Sequence, residues 1–442
     1  MGRGKVGRGG FGAGGGISPT RPLSADAPIA MMIPRAASPR PSAPEIPMTA
    51  SPDTFDAIVI GAGMMGAACA RHMTEAGAKV LLLGPDEPAS RATHAAPFAS
   101  HHDSGRITRA LDARGDWARL SRRAIGRYAG IEAASGISFF RETGGMMAGP
   151  LDGSKTGFMA STLAVAEAQS IPHVRYEGAA LAESFPFFAF PEGTVALHEP
   201  RGAGCIDPRA LVRAQIALAT AGGAARHASH AVAVDETAGE ARVRCADGAV
   251  FRAPRAVIAA GAWSRELLPQ RPKIDVYART VALLEIDEAE RARLAAMPTL
   301  VWEPDDPRAA PYLLPPLPYP DGRWYMKIGG DPMDQPLTTD AEIAEWFRTE
   351  GDLAVRDKLT EMLCELMPGL RYASLGSAAC VTSFNAWKAP LIHPVGDCLF
   401  AVTVGNGSGA KCSDEIGRLG ALLALGGDLA AEGYESRFGP NG

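Results

Sequence analysis

Three glycines in the pattern G-x-G-x-x-G, Gly61, Gly63 and Gly66, directly follow a short apolar run. In this pattern the first glycine permits a tight turn, the second lets the backbone approach a phosphate, and the third lets a helix pack closely on a strand. The helix that follows offers free N–H groups and the positive end of its dipole to the phosphates. The pattern therefore predicts a site for the pyrophosphate of a dinucleotide.

The elements around these glycines are those that such a site requires. The run Ala57–Ile60 is continuous and apolar, which is typical of a buried parallel strand. An Ala-rich helical pattern continues to Glu75 and stops at Gly77, and a second apolar run ends at Leu83. We therefore predict a strand–turn–helix–strand unit with two parallel strands.

An acidic residue about 20 positions after the glycines usually binds the ribose of the adenosine. Gly84 stands at this position, directly after the second predicted strand. Asp86 is the nearest acidic side chain and is therefore our candidate for the ribose contact.

A second segment, residues 100–109, reads S-H-H-D-S-G-R-I-T-R. It resembles the flavin-contacting segment S-H-H-G-D-T-R-I-I-R of the FAD-dependent amine and amino-acid oxidases, the part of the D-amino-acid oxidase superfamily that includes the sarcosine oxidases. Both histidines, His101 and His102, and both arginines, Arg106 and Arg109, stand at the same spacing. Three later segments resemble further motifs of the family in the same order: I-D-P-R-A-L at 206–211, A-A-G-A-W at 259–263 and G-S-G-A-K at 407–411.

The resemblance implies an α/β fold, in which a Rossmann-like FAD-binding domain of the glutathione-reductase type is interleaved with an α+β substrate domain on a mixed or antiparallel sheet. It assigns residues 54–130, 195–265 and 385–432 to the FAD-binding domain and residues 131–194 and 266–384 to the substrate domain. Apolar runs at 256–260 and 398–404 predict further parallel strands, and alternation over 231–242 with a turn at Asp247-Gly248 predicts a hairpin.

The resemblance also implies which residues contact FAD. Cys380 matches the cysteine that sarcosine oxidases attach covalently to the flavin, although a free cysteine is more often a small buried residue. Covalent and noncovalent FAD both stay open at this point. The cofactor-binding candidates are Gly61, Gly63, Met65, Gly66, Asp86, His101, His102, Arg106, Gly261, Trp263, Cys380, Gly407, Ser408, Gly409 and Lys411.

Three cations, Lys327, Arg109 and Lys411, are the catalytic candidates. Arg109 and Lys411 match the two carboxylate-binding positions of the family, and a guanidinium can hold a carboxylate through two parallel hydrogen bonds. Lys327 matches the lysine that activates oxygen over the flavin, but it also fits the solvent-facing position of an alternating strand. Arg106 matches a flavin-side arginine, although Arg106 and Arg109 alone also fit an exposed pair on a helix.

Three positions depart from the family pattern. Thr382 stands where a tyrosine is usual, Asp331 where a histidine is usual, and Ser408 replaces the histidine of G-H-G-F-K. Thr382 and Asp331 therefore join Arg109 and Lys411 as candidates for contacts with the substrate. Asp331 fits a simple turn equally well, because glycines and a proline surround it.

Composition excludes several classes of function. The chain has 442 residues, with 44 Lys and Arg against 49 Asp and Glu. A protein that neutralises a nucleic-acid backbone needs a basic excess, and no apolar run is long enough for a membrane span. Seven cysteines without a secretory signal indicate reduced thiols in the cytoplasm, and their spacing shows no metal-binding pattern.

Residues 1–50 differ from the rest of the chain because they are rich in glycine and proline. This composition predicts a disordered leader, since it cannot bury enough apolar surface to fold. Two alternatives are a translation start near Met48 and a basic tail that binds anionic partners.

Together these features predict an enzyme that oxidises the C–N bond of a secondary or N-substituted amino acid to an imine. O₂ would reoxidise the reduced FAD and give H₂O₂. The predicted partners are a small amine or amino acid and O₂ or another electron acceptor, so a dehydrogenase is the nearest alternative. A non-catalytic, FAD-bound assembly or partner-binding protein is the other alternative, which the three departures favour and the three retained cations oppose.

Overall fold

The computed structural model describes residues 54–151, 156–237, 239–269, 272–304, 310–330 and 333–440. Within these ranges the strands are β1 (Ala57–Ile60), β2 (Val80–Leu83), β3 (Arg106–Thr108), β4 (Phe140–Arg141), β5 (Gly145–Pro150), β6 (Val174–Glu177), β7 (Thr194–Glu199), β8 (Gly204–Ile206), β9 (Ala225–His227), β10 (Ala231–Thr237), β11 (Glu240–Cys245), β12 (Val250–Ala253), β13 (Ala256–Ile258), β14 (Asp275–Glu285), β15 (Thr299–Trp302), β16 (Tyr312–Pro318), β17 (Trp324–Gly329), β18 (Leu375–Phe384), β19 (Leu391–Pro394) and β20 (Leu399–Thr403).

The helices in the same ranges are α1 (Met64–Glu75), α2 (Gly115–Ser135), α3 (Phe158–Ala168), α4 (Gly178–Ser184), α5 (Pro208–Ala221), α6 (Ser264–Leu267), α7 (Glu288–Arg293), α8 (Asp340–Arg348), α9 (Leu353–Leu366) and α10 (Gly409–Ala424), with 3₁₀ turns at Gly261–Trp263 and Leu429–Glu432. In the described part of the chain, no helix combines the length and the apolar character needed to cross a membrane.

The strand before the glycine turn lies inside a six-stranded sheet of order β19-β20-β13-β1-β2-β9. β1 pairs in parallel with both β2 and β13, and β13 pairs in parallel with β20. Only β19 is antiparallel among the described strands of this sheet. The parallel strands predicted at 57–60, 79–83, 256–260 and 398–404 are therefore confirmed.

Both faces of this sheet are covered, which explains the unbroken apolar runs. Successive side chains of a strand point to opposite faces. Val59 and Leu82 lie in one core cluster with residues of α1 and α10. Ile58 and Leu81 lie in another cluster, with residues of β11 and β14. Helices α1 and α10 therefore cover one face of the sheet, and strands β11 and β14 contribute to the cover of the other.

The second large sheet has eight strands in the order β18-β14-β17-β16-β15-β5-β7-β6. It is mixed, because β15 and β5 are parallel whereas the other neighbouring strands are antiparallel. β7 belongs to this sheet, and the domain boundary predicted at residue 195 falls inside this strand. The assignment of chain segments to two domains stays a prediction.

Two small antiparallel sheets complete the fold, β10-β11-β12 and β3-β8-β4. The predicted hairpin is confirmed as β10–β11. The turn at Asp247-Gly248 lies instead between β11 and β12, where Gly248 has a φ of 89°.

A buried carboxylate joins the helices on one face of the six-stranded sheet. Asp414 of α10 accepts hydrogen bonds from Arg71 Nη2 at 2.7 Å, Gln215 Nε2 at 2.9 Å and Arg127 Nε at 2.5 Å. Although burial raises the pKa of Asp414, the contacts with His72, Arg127 and Arg71 lower it below its ordinary value. The network ties α10 to α1, α2 and α5 and so fixes where α10 begins.

Candidate active site

The glycine turn after β1 has no room for a side chain at two of its three glycines. A Cβ on Gly61 would lie 2.4 Å from the carbonyl oxygen of Ala259, and one on Gly66 would lie 1.8 Å from that of Gly61. Among the described residues, a Cβ on Gly63 would meet only the imidazole of His101, with Nδ1 at 3.5 Å. The backbone at Gly63 is therefore open to a ligand, as a pyrophosphate cradle requires.

Helices α1 and α10 begin side by side at this turn. A Cβ on Gly409, the first residue of α10, would lie 3.0 Å from Met65 Cε in the first turn of α1. One on Gly417 would lie 2.6 Å from Ala68 Cβ, so the two helices remain in close contact. Each helix N-terminus presents backbone N–H groups and a positive dipole end. Two adjacent N-termini suit a cofactor that carries negative charge.

The loop before α10 has an unusual backbone conformation. Val404, Asn406 and Gly407 all have positive φ values, of 66°, 44° and 76°. Asn406 Oδ1 accepts a hydrogen bond from Asn385 N at 3.2 Å, and Asn406 Nδ2 donates to Ala389 O at 3.0 Å. These bonds hold the loop against the residues that follow β18 and thereby fix the first turn of α10.

His101 and His102 have ring centroids only 4.4 Å apart, and His101 lies against the glycine turn. Burial, His102 and two arginines lower the pKa of His101 well below its ordinary value. Burial also lowers the pKa of His102 to about 4. Both imidazoles are therefore neutral at pH 7 and can each donate and accept a hydrogen bond. Trp263 Nε1 donates to Phe98 O at 3.1 Å, and the ring of Phe98 packs on that of His102.

Lys327 of β17 is a buried cation with a carboxylate partner. Its Nζ donates to Asp103 Oδ2 at 2.5 Å and to Gly105 O at 2.9 Å. Arg106 contacts the same oxygen of Asp103, and Tyr319 OH donates to Oδ1 at 3.1 Å. Burial and Arg106 lower the pKa of Lys327 well below its ordinary value. The ion pair with Asp103 acts in the opposite direction, because a nearby carboxylate favours the charged ammonium. With only 1% of its surface exposed, Lys327 does not face solvent.

Arg106 and Cys380 meet where β3 approaches β18. Arg106 Nη2 lies 3.6 Å from Cys380 Sγ and donates to Ser100 O at 2.7 Å. Arg106 begins a strand, so the alternative of an exposed helical pair with Arg109 is wrong. Of the seven cysteines, Cys364 and Cys380 are partly exposed and the other five are buried.

The two predicted carboxylate-binding cations lie together around Asp112. Lys411 Nζ donates to Asp112 Oδ2 at 2.9 Å, and Arg109 Nη1 lies 3.6 Å from the same oxygen. All three side chains are buried. Arg109 Nε is buried without a hydrogen-bond acceptor among the described residues.

Glu199 of β7 fixes the chain between these groups. Its carboxylate accepts from Ala110 N at 3.0 Å and Leu111 N at 2.8 Å. Burial raises the pKa of Glu199, and these two bonds and the nearby cations partly oppose that effect. The backbone from Arg109 to Asp112 is therefore held in one position.

A cavity of about 300 Å³ opens beside the cations. Arg114 lines this cavity and links it to the cations around Asp112. Its Nε lies 3.6 Å from Asp112 Oδ1, and its Nη2 donates to Ser408 Oγ at 3.5 Å. Thr382 is paired in register with Tyr277, which lines the cavity, and its hydroxyl is buried with no hydrogen-bond partner in the described ranges. The lining residues are Arg114, Tyr277, Asp334, Phe384, Asn385, Lys388 and Asn406.

Asp86 and Asp331 are among the predicted site residues that are not brought into these contacts. Asp86 is exposed and accepts a hydrogen bond from Arg226 Nη2 at 2.5 Å, so its contact with a ribose stays a prediction. A Cβ on Gly84 would lie 2.6 Å from Ala62 N, which explains why no acidic residue stands at the usual position. Asp331 lies outside the described residues.

Three carboxylates of the site were not predicted: Asp103, Asp112 and Glu199. A signal existed for Asp103, because an aspartate stands where the family segment S-H-H-G has its glycine. Asp112 follows Arg109 by three residues but belongs to no family motif. Glu199 carries no local signal, since it reaches the site from a different sheet.

Outside this site, His227, Cys245 and Asp247 bring their potential metal ligand atoms within 4.8 Å of one another. Asp247 Oδ2 lies 2.8 Å from His227 Nε2, and Asp247 Oδ1 accepts from Ala249 N at 3.1 Å. Both oxygens therefore have partners that stabilise the turn between β11 and β12, which accounts for the cluster without a metal ion.

The family model described as FAD dependent oxidoreductase matches residues 56–423. The chain belongs to this FAD-dependent oxidoreductase family. The oxidoreductase is 28% identical over 384 residues to the monomeric sarcosine oxidase of Bacillus sp. (strain NS-129). The aligned region covers 84% of this chain and 92% of that protein. It is 27% identical over 220 residues to the N-methyl-L-tryptophan oxidase of Yersinia pestis (strain Pestoides F), covering 49% and 56% of the two chains.

A solved structure shares the fold. NikD, described as an unusual amino acid oxidase essential for nikkomycin biosynthesis, superposes with a TM-score of 0.67 at 22% identity, over 88% of this chain and 98% of that chain. The α/β fold predicted from the sequence, with a Rossmann-like part and a mixed sheet, is therefore confirmed.

FAD, the cofactor of this family, fits the residues of the oxidoreductase. Gly63 leaves its backbone open to the pyrophosphate, and the adjacent N-termini of α1 and α10 favour an anion. The neutral imidazole of His101 borders the same turn, and the guanidinium of Arg106 supplies positive charge next to the sulfur of Cys380.

We expect the Gly63→Ala oxidoreductase to fold but to retain less than about a tenth of its FAD after purification and dialysis. The added methyl meets no clash within the protein, yet it fills the space that a pyrophosphate would approach. The measurement is the ratio of flavin to protein absorbance, with thermal unfolding as the check on folding.

The matched control is Gly126→Ala in α2, where a Cβ meets nothing within 4 Å. This variant should hold FAD as the wild type does. Equal FAD content in the two variants would contradict the prediction that the backbone at Gly63 binds the pyrophosphate of FAD.

Proposed function

We propose that this oxidoreductase oxidises the C–N bond of a secondary or N-substituted amino acid to the imine and uses O₂ as its electron acceptor. The observation that carries the proposal is the buried Nε of Arg109, which finds no acceptor among the described residues. A buried donor without a partner is costly, and a substrate carboxylate would satisfy it. The activities that name the two relatives, on sarcosine and on N-methyl-L-tryptophan, also support an N-substituted amino acid.

The chain's own residues would bind and orient this substrate. The carboxylate would accept a hydrogen bond from Arg109 Nε next to Lys411, and the hydroxyl of Thr382 would offer a further polar contact. When bound, FAD supplies a two-electron oxidant that accepts a hydride equivalent from the carbon next to nitrogen and passes both electrons to O₂, giving H₂O₂.

Basic side chains at a second position of the site support this chemistry. Lys327 and Arg106 lie in the site with Asp103 as their shared partner, and a fixed cation in a water-poor site stabilises negative charge that develops during a reaction. Arg109, next to Lys411, would receive the substrate carboxylate, so the two pairs of basic residues would have separate roles.

We expect anaerobic addition of N-methyl amino acids to bleach the visible absorption of the FAD-loaded protein. Air should then restore the absorption and produce H₂O₂ in an amount equal to the substrate consumed. Absorption spectroscopy and a peroxide assay measure both steps. Turnover only with an artificial acceptor would contradict the oxidase, and no bleaching by any amine or amino acid would support the non-catalytic alternative.

Asp103 favours a second candidate, a dehydrogenase that passes electrons to an acceptor other than O₂. Its carboxylate contacts Lys327 and Arg106 and so offsets the positive charge that would attract superoxide. The contribution of Lys327 to the reaction with O₂ therefore distinguishes the two candidates.

For an oxidase we expect Lys327→Met to slow the reaction of the reduced protein with O₂ by about a hundredfold, because a buried cation is lost. Anaerobic reduction by the amine should change much less. Stopped-flow absorption measures both rates, and Lys358→Met, at an exposed lysine of α9, is the control. If wild type and Lys327→Met react with O₂ equally slowly, the protein is a dehydrogenase.

Cys380 is our candidate for covalent attachment of FAD. Its sulfur is partly exposed and lies 3.6 Å from Arg106 Nη2. Nucleophilic cysteines are typically accessible and close to a positive charge. The buried cysteines lack this combination, whereas Cys364 is also partly exposed but lies on α9.

We expect acid precipitation of the purified holoprotein to leave the yellow colour in the pellet. Cys380→Ser should release the FAD into the supernatant, because its attachment point is gone, whereas Cys364→Ser should keep a yellow pellet. The absorption of both fractions is measured. A yellow supernatant from the wild-type protein would show that the FAD is noncovalent.

We also propose that the protein acts in the cytoplasm. All seven cysteines are free, and reducing compartments keep thiols in that state.

A further inference from the structure

The two cations proposed to bind the substrate carboxylate already have a carboxylate partner from the chain itself. Asp112 Oδ2 accepts from Lys411 Nζ at 2.9 Å and lies 3.6 Å from Arg109 Nη1. Its other oxygen, Oδ1, accepts from Arg114 N at 3.1 Å and lies 3.6 Å from Arg114 Nε. Asp112 therefore contacts three cations with its two oxygens.

Asp112 is buried and ionised. Only 4% of its surface is exposed. Although burial raises its pKa, Lys411, Arg109 and Arg114 lower the pKa of Asp112 to about 2. At neutral pH the site therefore contains a full negative charge beside Lys411.

The position of Asp112 is fixed by its neighbours. Glu199 binds the backbone N–H groups of Ala110 and Leu111, directly before Asp112. An incoming carboxylate therefore meets a negative charge that is held in place. The donor left over for it is Arg109 Nε, which has no acceptor among the described residues.

We propose that Asp112 determines substrate specificity by acting as a permanent counter-ion of Lys411. The substrate carboxylate is then received by Arg109 alone, and Asp112 weakens its binding by repulsion. The pocket consequently discriminates little between an N-substituted amino acid and the corresponding neutral amide. This inference rests on the proposed function for the substrate class, but the contact between Asp112 and Lys411 does not.

The test measures the binding of two ligands that cannot be oxidised at a C–N bond, propionate and propionamide. They have nearly the same shape and differ in charge. Titration of the FAD-loaded holoprotein at constant ionic strength, followed by the change in the flavin spectrum and by calorimetry, gives the two dissociation constants. The wild-type protein should prefer propionate by less than about tenfold.

Asp112→Asn should tighten the binding of propionate by about tenfold or more and leave that of propionamide unchanged, because only the charged ligand feels the lost repulsion. Asp112→Glu should restore the wild-type preference. With an N-methyl amino acid as substrate, Asp112→Asn should lower KM more than it changes kcat. Asp357→Asn, at an exposed position of α9, is the matched control and should change nothing.

Several results would overturn the proposal. A wild-type preference for propionate well above tenfold would show that Lys411 is free to bind a ligand, and this result does not depend on any variant folding. Equal shifts for both ligands in Asp112→Asn would indicate a structural role for Asp112. Failure of all amines to reduce the FAD would contradict the proposed function while the ligand comparison still decides the role of Asp112.

Discussion

Positive charge that is buried away from water needs a negative partner, and this requirement governs the arrangement of the whole site. Moving an ion out of water costs on the order of several kcal/mol even after the protein relaxes around it. A partner of opposite charge and hydrogen bonds can compensate this cost. Lys327 meets this requirement with Asp103, and Lys411 meets it with Asp112. The same principle stabilises the scaffold, where Asp414 joins helices α1, α2 and α10.

The sequence predicted the features that are encoded locally. The glycine turn and its two parallel strands follow from adjacent residues, and the motif around Arg106 and Arg109 follows from spacing. The carboxylate partners were not predicted, because each depends on a contact between distant segments, such as that of Lys327 with Asp103. The strand at Arg106–Thr108 was also missed as an element, since three residues are too few for a periodic pattern.

The presence of a cation in the sequence therefore does not establish what that cation binds. Arg109 and Lys411 match the two carboxylate-binding positions of the family, yet their contacts in the fold differ. Lys411 donates to an internal carboxylate, whereas Arg109 keeps a donor without an acceptor among the described residues. In this site the carboxylates decide how much positive charge reaches a ligand.

The contact between α1 and α10 has a consequence for how the protein is made. The glycine turn leaves the ribosome early, but the helix that completes the site comes near the end of the chain, and 299 residues separate Asp112 from Lys411. Until α10 is made, the surface of α1 around Ala68 and Cys69 lacks the cover that α10 provides. We therefore expect stable binding of FAD to require that α10 has already packed against α1.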